Sequence, residues 1–105
     1  MTVYVDNARI PAKVGDIRGR WSHLTADTQD ELHAFAERLR LRRAWFQERC
    51  KKRCAPEGQP CPHWHYDVTE PVRERAVNFG AEPIDLRKLG ALISARRAAL
   101  RGEQP

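Results

Sequence analysis

With 105 residues, a net charge of +5 and 41% hydrophobic against 31% charged residues, the chain has material for one modest core and no room for a second domain. No apolar run approaches the roughly 18 residues that span a bilayer, and the opening Met-Thr-Val-Tyr-Val-Asp lacks the basic-then-apolar plan of a signal peptide, so a cytoplasmic protein without membrane contact is expected. Three cysteines, an odd count, in a reducing compartment suit reduced or metal-bound thiols better than disulfides.

In chain order, residues 2–6 are β-branched and aromatic and predict a buried first strand ending in the polar cluster Asp6-Asn7-Ala8-Arg9. Residues 10–19, with Pro11, Gly15 and Gly19, predict a loop or an irregular hairpin arm. Residues 20–25 follow as a second strand, in which Trp21 and His23 share a face by the period of two. Thr28-Gln-Asp-Glu31 has the spacing of a capping box, in which the Thr28 hydroxyl accepts from the Glu31 N–H and the Glu31 carboxylate returns to the Thr28 N–H. The helix it starts carries Leu32, Phe35, Ala36 and Leu39 as one apolar stripe, and Arg38, Arg40, Arg42 and Arg43 complement the negative end of its dipole. His33 falls beside that stripe, at the border of a site or at the core edge.

Residues 44–47 predict a short buried strand and residues 48–62 a cysteine-bearing loop. A further strand over residues 65–68 leads into a helix capped by Thr69, with Pro71 in its first turn and Val72, Ala76 and Phe79 on its inner face. Gly80 terminates that helix, and residues 82–84 form a brief strand. Asp85 caps a last helix whose apolar side is Leu86, Leu89, Ile93 and Leu100, followed by a frayed tail at 102–105. Strands alternating with helices predict a small α/β domain over residues 1–101, a roughly four-stranded mixed sheet packed by three helices.

Chemistry concentrates in residues 50–67, which hold all three cysteines, His63, His65 and Asp67. Extended over 61–67, this segment would project Cys61, His63, His65 and Asp67 from one face and Trp64 and Tyr66 from the other. Two constellations result. Cys50, Cys54 and Cys61 with His63 or His65 form a Cys3His set suited to zinc, and Lys51, Lys52 and Arg53 would help keep the thiols ionised; three reduced thiols in a loop is the plainer alternative. Asp6, His23, His65 and Asp67 would bind a divalent metal or work as an acid–base pair on a phosphoester, with Arg9 or Arg73 neutralising phosphate; satisfied interior histidines are the alternative.

The positive charge is uneven: net −2 over residues 1–37, +7 over 38–54 and 0 over 55–105. Such a block attracts phosphate, in a nucleotide or a nucleic acid; Arg42 and Arg43 lie within it, and Trp21, Trp45, Trp64, Tyr4 and Tyr66 suit base stacking beside it or simply the core. Fifteen arginines against four lysines also fit a general Arg-rich coding habit. Gly-rich phosphate loops, a Gly-x-Ser-x-Gly elbow and a His-Glu-x-x-His helix are absent from the sequence.

Taken together, Val3-Tyr-Val-Asp-Asn7, Trp21-Ser-His23-Leu-Thr-Ala-Asp27, Glu31-Leu-His33-Ala-Phe35, Ala44-Trp-Phe-Gln47, His65-Tyr-Asp67-Val-Thr69 and Gly80-Ala81 resemble the small phage and bacterial proteins catalogued as domain of unknown function 4031. The resemblance implies phage or prophage ancestry and marks Asp6, Trp21, His23, His33, His65 and Asp67 as pattern positions. This chain departs from the pattern at Arg40, where a Gly is expected after the first helix, at Pro71-Val72-Arg73, and in an enlarged loop between Gln47 and His65. The functional expectation is a metal- or His-dependent hydrolase of a phosphoester or nucleotide. The alternative is a non-catalytic module, with or without a zinc clip, that binds nucleic acid or a host protein.

Overall fold

The computed structural model describes residues 2–50 and 60–102. Five strands form one mixed sheet: β1 (Val3–Val5), β2 (Ile10–Val14), β3 (Ile17–Ala26), β4 (Tyr66–Thr69) and β5 (Glu82–Pro83). Three helices accompany it: α1 (Gln29–Arg38), α2 (Glu70–Asn78) and α3 (Leu86–Leu100). The long strand β3 is the spine. Along one edge it pairs antiparallel first with β2 and then with β1, along the other with β4, and β5 joins β1 in parallel.

Register sorts the side chains by face. Val5, Leu24 and Tyr66 align across three strands, and Ser22 and Val68 across two. With Val3 and Ala26 they are buried on the face that α1 and α2 cover through Leu32, Phe35, Ala36, Leu39 and Ala76. Tyr4, Asp6, His23, Thr25 and Asp67 occupy the opposite parity. The sheet thus has an apolar face and a polar one.

Of the two alternatives for residues 10–19, the hairpin arm forms, and it is regular. Gly15, at φ +59, takes the first position of a two-residue turn closed by Val14 and Ile17, the place where a type II′ turn requires positive φ. Pro11 is accommodated because β2 is an exposed edge strand. Residues 44–47 are not a buried strand: Arg43–Trp45 is a 3-10 turn, Trp45 is 47% exposed, and only Gln47 bridges to His65. Phe79 lies outside the core because α2 ends at Asn78, and its ring turns out beneath Arg38, 5.2 Å away. Leu86 and Leu100 are likewise exposed. The packed side of α3 is Leu89, Ile93 and Arg96.

Helix ends account for the positive φ of Arg40 and Gly80. The Thr28 hydroxyl accepts from the Glu31 N–H at 3.2 Å, so the forward half of the capping box forms; Glu31 Oε2, however, is buried with no hydrogen-bond partner among the described residues. Thr69 starts α2 by backbone conformation alone, with Pro71 in the first turn. At the end of α2, Gly80 N–H bonds Val77 O and Ala81 N–H bonds Ala76 O, a Schellman motif around a glycine at φ +108. Helix α1 ends with the same pair of bonds, Arg40 N–H to Glu37 O and Leu41 N–H to Ala36 O, but its left-handed residue is Arg40, at φ +62. A side chain there costs about 1 kcal/mol, partly offset by the lower backbone entropy of a non-glycine residue when unfolded. Arg40→Gly is therefore expected to raise stability by about 0.5 kcal/mol, read as a higher denaturation midpoint at unchanged m-value.

Candidate metal and acid–base site

On the polar face the edge beside β3 is irregular. Four residues, Asp6 to Arg9, are opposed by only two, Ser22 and His23, between the last β1 pair and the first β2 pair. This wide bulge, with Arg9 at φ +48, turns the Asp6 side chain back onto β3. Asp6 Oδ1 accepts from the N–H of His23 at 2.9 Å and of Ala8 at 3.1 Å, while Oδ2 lies 2.6 Å from His23 Nδ1. The carboxylate is fully buried. Burial alone would raise its pKa, but the hydrogen bonds from the His23 ring and backbone, the imidazolium charge and the Ala8 N–H outweigh it and hold it below the ordinary aspartate range. His23 moves upward, mainly through its bond to Asp6, with burial opposing and the Asp6 and Asp67 charges assisting.

Across the β3–β4 pair, Asp67 is the direct partner of His23. His65 stands two residues earlier, its ring 4.9 Å from that of His23 and nearly perpendicular to it. His65 Nδ1 is 2.5 Å from the His63 carbonyl, and Nε2 is 3.1 Å from Asp67 Oδ1. The other Asp67 oxygen accepts from the Gln47 side-chain amide, and Gln47 is held by two backbone bonds to His65. Burial raises Asp67, but the His65 bond and charge, the Gln47 bond and the His23 charge prevail and lower it.

Each histidine thus has Nδ1 against a fixed acceptor, Asp6 for His23 and a main-chain carbonyl for His65. When such a ring is neutral, the proton held at Nδ1 leaves the lone pair at Nε2, which for His65 lies 3.1 Å from Asp67 Oδ1. That is the outer-shell arrangement that prepares an imidazole to bind a metal. Among the described residues, His23, His65 and Asp67 form one group whose ligand atoms all lie within 4.8 Å of one another, and Cys50, Cys61 and His63 form a second. A cleft of about 230 Å³ opens beside both, lined by His23 and His65 from the sheet, Cys50 and His63 from the connecting segment, and Ile93 and Arg96 from α3.

The other sequence candidates are dispersed. Arg73 Nε donates to the Asp6 main-chain carbonyl at 2.8 Å, and Arg9 pairs with Glu70 at 3.2 Å on the surface. Trp21 Nε1 donates to Ala12 O at the base of the hairpin. His33 belongs to the apolar side, where it bonds the Tyr66 hydroxyl at 2.9 Å and meets the edge of Phe46; burial, then the Arg43 charge, lower its pKa. It does not border the His23–His65 cleft. Arg42 lies 5.9 Å over the Trp45 ring. Cys61 and His63 are in a turn before β4, so the face they share with Asp67 in an extended reading does not exist. Cys54 and the basic residues Lys51, Lys52 and Arg53 lie outside the described residues.

Two contributors escape the sequence reading. Gln47 orients Asp67, and Arg96 ties α3 to the sheet by donating to Pro62 O, Thr25 Oγ1 and Ala26 O. Arg96 follows Leu89 and Ile93 at helical spacing, the one signal that pointed to it.

The segments Val-Tyr-Val-Asp, Trp-x-His and His-Tyr-Asp supply β1, β3 and β4, and the family model described as Protein of unknown function (DUF4031) matches residues 3–96. The chain belongs to the DUF4031 family. The matched region runs through α3 as far as Arg96, beyond the Val3 to Ala81 span that the short motifs cover, so the helix closing the cleft is part of the family unit. No curated protein and no solved structure matches the chain. No described helix is long and apolar enough to cross a membrane.

The opposed shifts of Asp6 and His23 set a pH window for the metal-free protein. The lowered Asp6 contributes stability above the ordinary aspartate pKa of about 3.9, lost as pH falls through its folded value; the raised His23 contributes below the ordinary histidine pKa of about 6.5, lost as pH rises through its folded value. Metal-free melting temperature is expected to peak between these limits, and His23→Gln should flatten the alkaline side of the profile.

Proposed function

We propose that the protein is a divalent-metal-dependent hydrolase of phosphoesters, with His23, His65 and Asp67 as ligands. The observation that carries this reading is that both histidines have Nδ1 committed to acceptors while their rings converge on a third ligand, Asp67, within one group of ligand atoms. Three protein ligands leave coordination positions for water and substrate, as in catalytic rather than closed structural sites. His23, His65 and Asp67 would hold a divalent ion whose chemistry is to acidify water and to offset phosphoryl charge. Asp6 holds the His23 tautomer. Gln47 fixes the carboxylate, and Thr25, Ile93 and Arg96 shape the cleft wall. The net charge of +7 over residues 38–54 favours an anionic substrate.

A second reading, nucleic-acid binding without catalysis, has in its favour the exposed Trp45 beneath Arg42, a pair suited to stacking on a base. The two are separated by assaying bis(p-nitrophenyl) phosphate with protein loaded in turn with zinc and manganese. His65→Ala and Asp67→Asn are expected to lower kcat/KM about 10³-fold with folded circular-dichroism spectra. Absence of turnover with either metal, together with salt-dependent binding of single-stranded DNA that Arg42→Glu/Arg43→Glu removes, would reject the hydrolase for the binding module.

A further inference from the structure

We infer that Cys50, Cys61 and His63 form a separate thiolate-rich zinc site that braces the segment leading into β4 and, through His63, sets the orientation of His65. A zinc ion at about 2.3 Å from sulfur and about 2.0–2.1 Å from nitrogen, in tetrahedral geometry, places two sulfur ligands about 3.8 Å apart and a sulfur and a nitrogen about 3.6 Å apart. Cys50 Sγ and Cys61 Sγ are 3.8 Å apart, and Cys61 Sγ and His63 Nδ1 are 3.6 Å apart. These match two edges of a zinc tetrahedron, and all three ligand atoms lie within 4.8 Å of one another. The sulfur separation is far from the roughly 2.05 Å of a disulfide. In addition, the His63 backbone N–H donates to Cys61 Sγ at 3.4 Å, a contact that favours thiolate over thiol, and Cys61 is buried, where a thiolate needs a cation beside it.

The chemistry of the two ligand groups separates them. Sulfur with one imidazole selects a soft or borderline ion, whereas two imidazoles and a carboxylate accept harder ions such as manganese. Geometry also joins them, since His63 gives its ring to the thiolate group and its carbonyl to His65 Nδ1, while Cys50, His63, His23 and His65 line the same cleft. An ion at the sulfurs therefore fixes the acceptor that fixes His65. The thiolate site stands on its own distances; its effect on His65 rests on the hydrolase reading.

Cobalt(II) titration of reduced, metal-stripped protein tests the site. One equivalent is expected to give a sulfur-to-cobalt charge-transfer band that zinc displaces, that Cys50→Ser and Cys61→Ser each abolish, and that the His23→Ala/His65→Ala double variant retains. No such band in the wild-type protein overturns the site whether or not any variant folds, as does a band that survives Cys50→Ser, the less buried change. For the link to His65, manganese affinity is expected to fall at least about 10-fold in Cys50→Ser, and an unchanged affinity overturns the link. Loss of hydrolysis alone with the charge-transfer band intact would sink the hydrolase and spare the thiolate site.

Discussion

Asp6→Asn is expected to weaken manganese binding at His23, His65 and Asp67 by about 10- to 100-fold and to lower hydrolysis in proportion. The direction follows from hydrogen-bond polarity. Oδ1 of residue 6 accepts from two backbone N–H groups, His23 and Ala8, and only an oxygen can stay there. The new amide nitrogen must then take the Oδ2 position and aim its hydrogens at His23 Nδ1, 2.6 Å away. Nδ1 becomes the acceptor, and the ring proton moves to Nε2, which can no longer bind metal. The substitution changes one atom and little volume, so the bulge should persist. Nitrogen NMR of the metal-free variant at neutral pH would show the changed tautomer, and titration calorimetry the lost affinity. An altered tautomer with unchanged manganese affinity would mean that His23 is not a ligand.

Arg96→Ala is expected to cost about 3 kcal/mol, on the order of a 15 °C fall in melting temperature. Arg96 donates at 3.0 Å to Pro62 O, at 2.7 Å to Thr25 Oγ1 and at 2.5 Å to Ala26 O, and its guanidinium stacks 3.6 Å from the centre of the Trp64 ring. Burial lowers its pKa to about 10, with Asp27 and Tyr4 opposing, so it remains charged at neutral pH. Alanine would strand three acceptors and remove the cation over the indole. Lysine should rescue little, because a single ammonium cannot span acceptors on two segments as the planar fork does. Since α3 buries no side chain completely, this residue is the chief anchor of the helix that walls the cleft. A loss below about 1 kcal/mol on thermal or urea unfolding would refute that role.

Much of the fold was readable because it rests on local rules. The stripe on α1, the glycine closing α2 and the alternation of Trp64, Tyr66 and Val68 with His65 and Asp67 each follow from period or cap chemistry. Even the unexpected Arg40 sits where a glycine was expected, in the left-handed position. The hairpin arm stayed one of two alternatives because Pro11, Gly15 and Gly19 signal a loop equally well, and only pairing with β3 distinguishes the two. Of the site, Asp6, His23, His65 and Asp67 were found as residue types, and β3 brings them together. His33 takes the core-edge alternative, a choice left open by the sequence because rotation about α1 does not reveal which sheet face lies beneath it. Gln47 and Arg96 matter through contacts 20 or more residues away, which no local pattern encodes.

The bulge also acts as an expansion joint. Strand β1 takes its register on β3 from the core, and β2 takes its own from the tight turn at Gly15. The surplus between the two is absorbed entirely by residues 6–9. Matched pairs of residues can therefore be added to or removed from the hairpin beyond Ile10 and Trp21 without moving Asp6 relative to His23. Deleting a single residue between Asn7 and Arg9, in contrast, would leave β2 in the register its turn sets but shorten the bulge and pull the carboxylate from its histidine.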